Sequence, residues 1–223
     1  MLIAEELLLL LTNDRGGLVT GRNETGLGLA GALLCELALM EKVTVDGKGR
    51  LRVADPAPTG NAHLDAALGV FADREGKKPK DVLGKVAKGL QDRLHDSLAA
   101  AGAVHRERGR VLGVFPQTRW PVVDTAGRRT AVDGLTAVLV GSTAPTARSA
   151  SLVSLIHAVG AVPKLFGDGT GMSGRALKKK AKTIAEGDWA GAAVSKAISD
   201  AQAAITAAVA ASAAATAATS GSS

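Results

Sequence analysis

The sequence predicts a mainly α-helical, compact domain built around one central hydrophobic helix and carrying two small β-hairpins. Three observations predict it. First, Thr25–Met40 (TGLGLAGALLCELALM) holds a single charge, Glu36, in an otherwise apolar run. A helix apolar on nearly every face has to be covered on nearly every face. Second, the apolar residues are aliphatic: 46% of the chain is hydrophobic, yet there is no tyrosine, and only two tryptophans and three phenylalanines are present. Third, apolar residues recur at helical spacing along most of the chain, and period-two alternation interrupts them in two places. With 223 residues the chain is long enough for a real core. We expect one domain over residues 1–210, followed by a disordered tail, Ala211–Ser223, too poor in large apolar side chains to order itself.

Taken in order, Leu2–Leu11 reads as a helix. Glu5 and Glu6 lie near its positive end, and Asn13-Asp14-Arg15-Gly16-Gly17 stops it with turn chemistry. This helix should pack on Thr25–Met40, whose start Asn23 or Thr25 could cap. At sixteen residues the central segment falls short of the roughly 20 needed to span a bilayer. Val43, Val45, Leu51 and Val53 alternate around Asp46-Gly47, a hairpin signal. A loop leads to a short helix, His63–Phe71, with Leu64, Ala67, Leu68 and Phe71 on one face. Asp81 is expected to cap one long helix running to Ala101 on Val82, Val86, Leu90, Leu94 and Leu98, ended by Gly102. A second hairpin-like segment covers Val104–Val123. The remainder reads as helices at Arg129–Val140, Ala147–Val159, a Ser173-capped RALKKKAKTIAE segment and Trp189–Ala210.

Net charge is +6 and the isoelectric point about 9.7, a balance that favours an anionic partner. Cys35 is the sole cysteine, which excludes an internal disulfide and a multi-cysteine zinc site; inside an apolar helix it is expected to be inert. His63, His95, His105 and His157 lack metal-ligand spacing, and His157 is expected to be a hydrogen-bonded core residue. Gly169–Gly174 has the outer spacing of a phosphate loop without its Lys and Ser/Thr. Asp55 and Asp65 bracket a turn and are expected to fix it rather than to act as an acid–base pair. No catalytic residue, metal or cofactor is therefore assigned. The first residues lack a secretory signal, which points to the cytoplasm. A winged-helix, nucleic-acid-binding reading is the alternative. It would use Asp81–Ala101, with Lys85, Lys88, Gln91 and Arg93, as recognition helix, and nucleic acid is the less favoured partner.

Several segments together resemble the Golgi phosphoprotein 3 family. They are AEELLLLL (Ala4–Leu11), GLGLAGALLCELAL (Gly26–Leu39), DPAPTGNAHLDAAL (Asp55–Leu68), LHDSLAAAGAV (Leu94–Val104), GVFPQTRWPV (Gly113–Val122) and RSASLVSLIHA (Arg148–Ala158). The order holds from about Leu2 to Ile198, and the alanine-rich, tyrosine-free composition is similar to bacterial members. The resemblance implies a non-enzymatic peripheral membrane protein. Eukaryotic members bind phosphatidylinositol 4-phosphate and the cytosolic tails of client proteins, and self-associate through the hairpin after the middle helix. The family's headgroup tryptophan falls at Arg22 (Gly21 if the gap shifts) and one arginine at Ala30. Two further arginines fall near Lys88 and Gln91, with Arg93 close by. The resemblance thus places lipid-headgroup contacts at Arg22, Lys85, Lys88, Gln91 and Arg93. It places a membrane or homo-oligomer hairpin at Val111, Leu112, Val114, Phe115 and Trp120. Arg175, Lys178, Lys179 and Lys182 add a basic helical stripe that would suit an anionic surface.

Overall fold

The computed structural model describes residues 1–111, 115–187, 199–207 and 210. It is mainly α, with two antiparallel two-stranded sheets. Helix α2 (Arg22–Leu39) is the centre, with thirteen of its eighteen residues buried. Around it pack α1 (Ile3–Leu11), α3 (Ala62–Asp73), α4 (Pro79–Val86), α5 (Leu90–Ala100) and α7 (Ala147–Ala158). Close approach requires a missing side chain at Gly31, where a Cβ would lie 2.6 Å from Ile205 Cδ1 and 3.1 Å from Leu155 Cδ2. One hydrophobic cluster runs from Ile3 to Ile205 and is almost wholly aliphatic.

The single charge of the central run is tied down by its neighbours. Glu36 Oε2 accepts from Ile3 N at 2.5 Å, and Arg148 on α7 sits 3.6 Å from its other oxygen. Arg148 also donates to Glu6 at 2.7 Å. One guanidinium thus balances two carboxylates, from α1 and α2, at the junction of three helices. A half-buried charge is tolerated when paired and hydrogen-bonded.

Local chemistry explains where the elements start and stop. Helix α2 begins earlier than expected, at Arg22 with Gly21 as its cap. Thr25 is buried and bonds Thr20 Oγ1 at 2.7 Å instead of capping. The first hairpin, β1 (Val43–Val45) and β2 (Leu51–Val53), pairs Val43 with Val53 and Val45 with Leu51. Asn61 caps α3 by accepting from His63 N and Leu64 N. Asp65 accepts from both N and Oγ1 of Thr59 at 2.6 Å, and Asp55 pairs with buried Lys42 at 2.7 Å. Those hydrogen bonds hold both carboxyls below the ordinary range, so the two acids fix the turn, as expected.

The expected long helix from Asp81 to Ala101 is two helices. Gly89 adopts φ +66° between α4 and α5, a left-handed conformation that breaks the hydrogen-bond ladder. Asp81 sits in the first turn of α4, and Lys78 is the cap. The second hairpin pairs β3 (Glu107–Val111) with β4 (Phe115–Arg119). Helix α6 (Thr125–Val140) starts four residues before the expected one because Asp124 accepts from Gly127 N. An unexpected helix, α8 (Val162–Thr170), follows α7; its 3.6-residue period is short and rich in glycine. Gly169–Gly174 straddle the end of α8 and the Ser173 cap of α9 (Gly174–Ala185), and so form no phosphate loop. On α9 Leu177, Ala181 and Ile184 are buried while Arg175, Lys178, Lys179, Lys180 and Lys182 are exposed. His157 is half-buried beside Lys178 and Lys182, with its pKa lowered first by burial and then by those lysines. It lies at the α7–α9 contact, not in the core centre. Of the expected last helix, residues 199–207 and 210 are helical and the others lie outside the described residues, as does the tail 211–223.

Candidate functional site

The chain between α1 and α2 and the base of the second hairpin are stitched together. Asn13 Oδ1 accepts from Arg15 N and Gly17 N, which folds the turn. Gly16, at φ +72°, brings its backbone against Trp120, whose N donates to Gly16 O at 3.0 Å. A Cβ on Gly16 would lie 2.4 Å from Trp120 N. Helix α5 forms the third wall, presenting Gln91 and His95 one turn apart. His95 stacks on Trp120 with ring centroids 4.7 Å apart and planes 5° from parallel. The Arg106 guanidinium lies 5.2 Å from the same indole, within cation–π range.

Two clefts open from this junction. The hairpin-side cleft, about 720 Å³, lies between the α1–α2 loop, α5 and β3–β4. Four arginines line it, Arg15, Arg22, Arg106 and Arg119, against Asp92 and Asp96. Arg22 pairs with Asp92 at 3.7 Å and Arg106 with Asp96 at 3.6 Å, both solvent-exposed. Its floor is neutral. Burial pushes the His95 pKa down to about 4, with Asp92 and Asp96 opposing and Arg22 assisting, so the ring carries no charge at pH 7. The helix-side cleft, about 520 Å³, lies between α2 and the α4–α5 junction. Arg22 and Lys88 are its cations, and Gly26, Gly84 and Ala87 leave its walls bare.

These clefts sort the expected headgroup residues. Arg22, Lys88 and Gln91 converge on the helix-side cleft, and Arg22 and Gln91 line the other one as well. Lys85 and Arg93 are exposed but line neither; Arg93 donates to Lys88 O at 3.2 Å. Ala30 is fully buried on α2. The expected hairpin contact divides too. Trp120 is 6% exposed and held inside the fold by His95. Leu112 and Val114 lie outside the described residues; for Val111 and Phe115 the backbone pairing alone is described. Sequence reasoning missed Arg15, His95, Arg106 and Arg119 as site residues. They come from separate elements, and the only local signal among them was the i, i+4 spacing of Gln91 and His95.

The family described as Golgi phosphoprotein 3 (GPP34) matches residues 3–201. The chain belongs to the Golgi phosphoprotein 3 family. No curated protein matches it. The family is one of lipid-binding, non-enzymatic proteins. Among the described residues no single helix is long and apolar enough to cross a membrane, and peripheral attachment would need none. The family match spans α1 to the helical residues at 199–201, so both clefts lie within it.

Proposed function

We propose that this chain is a non-enzymatic, cytoplasmic, peripheral membrane protein that attaches to anionic lipid headgroups by charge. The observation that carries the reading is the helix-side cleft. Arg22 and Lys88 line an open, sparsely walled cavity at the start of the central helix, against the one carboxylate of Asp92, and Lys85 on α4 and Arg93 on α5 are exposed. Two cations without a fixed set of bidentate arginine forks suit attraction to a charged surface better than recognition of one phosphate pattern. Phosphoinositide-type headgroups are accommodated as anions among others. The exposed face of α9 adds five cations, each worth about 1 kcal/mol near an anionic bilayer.

Self-association through the second hairpin, and recruitment of client proteins, belong to the same proposal. The expected recognition helix of the nucleic-acid reading is broken at Gly89, and its second half exposes Asp92 and Asp96. Co-sedimentation with vesicles tests the attachment. Binding should require anionic lipid and should fall sharply from low salt to about 0.5 M, where screening shortens to a few ångströms. Equal binding to neutral vesicles would sink the electrostatic reading. Tight, salt-sensitive binding to duplex DNA without vesicle binding would replace it. Replacing Val111 and Phe115 with Ser should lower the solution mass if the hairpin joins two copies.

A further inference from the structure

The cations of this fold do not all lie on one side. Helix α9 exposes Arg175, Lys178, Lys179, Lys180 and Lys182, while Leu177, Ala181 and Ile184 on its other face are buried. Lys182 lies 3.7 Å from Glu186, in an ion pair open to solvent. The other four pair with no carboxylate among the described residues. An apolar recess adjoins these charges. A groove of about 340 Å³ between the end of α6 and α9 is lined by Val138, Leu139, Pro145, Ile184 and Lys180. Val140, next in the chain, is 42% exposed. Basic side chains beside a shallow apolar recess suit the headgroup layer of an anionic bilayer, where charge and apolar contact add.

The packing order sets where this face points. Helix α4 packs on α2, α2 on α7, and α7 on α9, and α9 itself packs on α6, α7 and α8. Packed helix axes lie about 8–10 Å apart, so three such steps put α9 up to about 30 Å from α4. The buried stripe of α9 meets those neighbours, and its cations therefore point away from α2 and from the α4–α5 junction behind it. Screening at physiological salt acts over about 8 Å. A bilayer held at Arg22 and Lys88 is thus out of range of the α9 face, and a surface held by α9 is out of range of Arg22 and Lys88.

We propose that the chain joins two anionic bilayers, one held at the helix-side cleft and the other by the α9 face with its apolar recess. The proposal rests on attachment by charge and adds a second surface to it. The character of the cations favours a bilayer over a folded acidic partner. Four of the five are lysines, and no ion pair or hydrogen bond fixes the side chains of Lys178, Lys179 and Lys180. Point charges on flexible stems follow a fluid layer of headgroups, whereas a fixed set of carboxylates is better met by guanidinium forks.

Co-sedimentation and turbidity, read on the same phosphatidylcholine vesicles with and without phosphatidylglycerol, test the bridge with the full chain. The wild type should sediment with the anionic vesicles and cluster them. Turbidity should rise and then fall as protein is added, because excess protein covers every vesicle with separate copies. Each lysine removed from α9 should weaken the second contact about fivefold. A variant combining Lys178→Gln, Lys179→Gln, Lys180→Gln and Lys182→Gln, all at exposed positions, should therefore still sediment but no longer cluster vesicles. Arg22→Gln with Lys88→Gln should also lose clustering while α9 keeps it on the vesicle. Val111→Ser with Phe115→Ser should cluster as the wild type does, since one copy carries both faces; loss of clustering there would give the bridge to paired copies and overturn the proposal. Undiminished clustering by the lysine variant would overturn it too. Sedimentation of the wild type without clustering would overturn the bridge and leave single attachment standing, whereas no sedimentation would overturn both. Lysine-dependent binding of polyglutamate without clustering would assign the α9 face to an acidic polypeptide instead.

Discussion

Acidification should reveal the buried histidine of the hairpin-side cleft. His95 is 1% exposed, lies against Trp120, and has both ring nitrogens unpartnered. Burial lowers its pKa from 6.5 to about 4. The unfolded chain takes up a proton as pH falls through 6.5, whereas the folded chain resists until about 4. The unfolded state therefore binds more protons across that window, and stability falls as pH falls. The loss starts near pH 6.5, accumulates down to about pH 4, and then levels off. A shift of this size corresponds to roughly 3 kcal/mol, or about 10 °C in Tm for a domain of this length. Asp46, Asp55 and Asp65 have pKa values below 3.8, so their contributions vanish at lower pH. His157 shares the window because its pKa is lowered as well. Comparison with His95→Phe separates the two histidines, since His157 contributes to both proteins. Phe keeps the stack on Trp120 and removes the two unmet nitrogens. Urea unfolding at pH 7, 6, 5 and 4 should show the wild type losing roughly 3 kcal/mol more than the variant. At pH 7 the variant should be more stable by about 1–3 kcal/mol, the cost of burying an unsatisfied polar group. Parallel stability–pH curves for the two proteins would refute the burial argument and, with it, the account of the cleft floor.

Three further outcomes follow from the packing. Gly16→Ala should destabilise by about 3 kcal/mol, because it forces Ala into φ +72° and into the Trp120 backbone; Gly17→Ala, facing only the end of Asn13, should cost less than about 1 kcal/mol. Thermal melts distinguish the two. Arg148→Ala should cost roughly 3 kcal/mol by leaving Glu6 and Glu36 half-buried and unbalanced. Adding Glu6→Gln should recover part of that loss, and strict additivity would show that the three charges do not act together. Cys35 is buried, and burial together with Glu36 raises its pKa to about 12. A thiol reagent at pH 8 should therefore label it only as fast as the protein unfolds.

The two clefts meet at Arg22, Gln91 and Asp92 but offer different chemistry. The helix-side cleft holds Arg22 and Lys88 against Asp92 among small side chains, a surface that rewards charge more than shape. The hairpin-side cleft holds fixed rings, unmet buried atoms and arginines from three elements, a surface that rewards fit. The ion pairs Arg22–Asp92 and Arg106–Asp96 are exposed, so each contributes little to stability and either can open toward a ligand.

Periodicity and composition determined the central helix by themselves. A sixteen-residue run with one charge can be stable in water only when surrounded, and α1, α3, α4, α5 and α7 surround it. They also determined both hairpins and the two-faced α9, because alternation and helical spacing are local properties of the chain. The cap position was legible at Ser173 but not at Asn61, Asp124 or Gly89, where neighbouring turns and one left-handed residue settled the boundary. Within the site, the sequence supplied Arg22, Lys88 and Gln91. Arg15, His95, Arg106, Arg119 and Trp120 became a site only when Gly16 let the hairpin base close on the α1–α2 loop. The burial that neutralises His95 is likewise a product of that closure. Burial, pairing and pKa depend on segments distant in sequence, and the tertiary structure alone sets those distances.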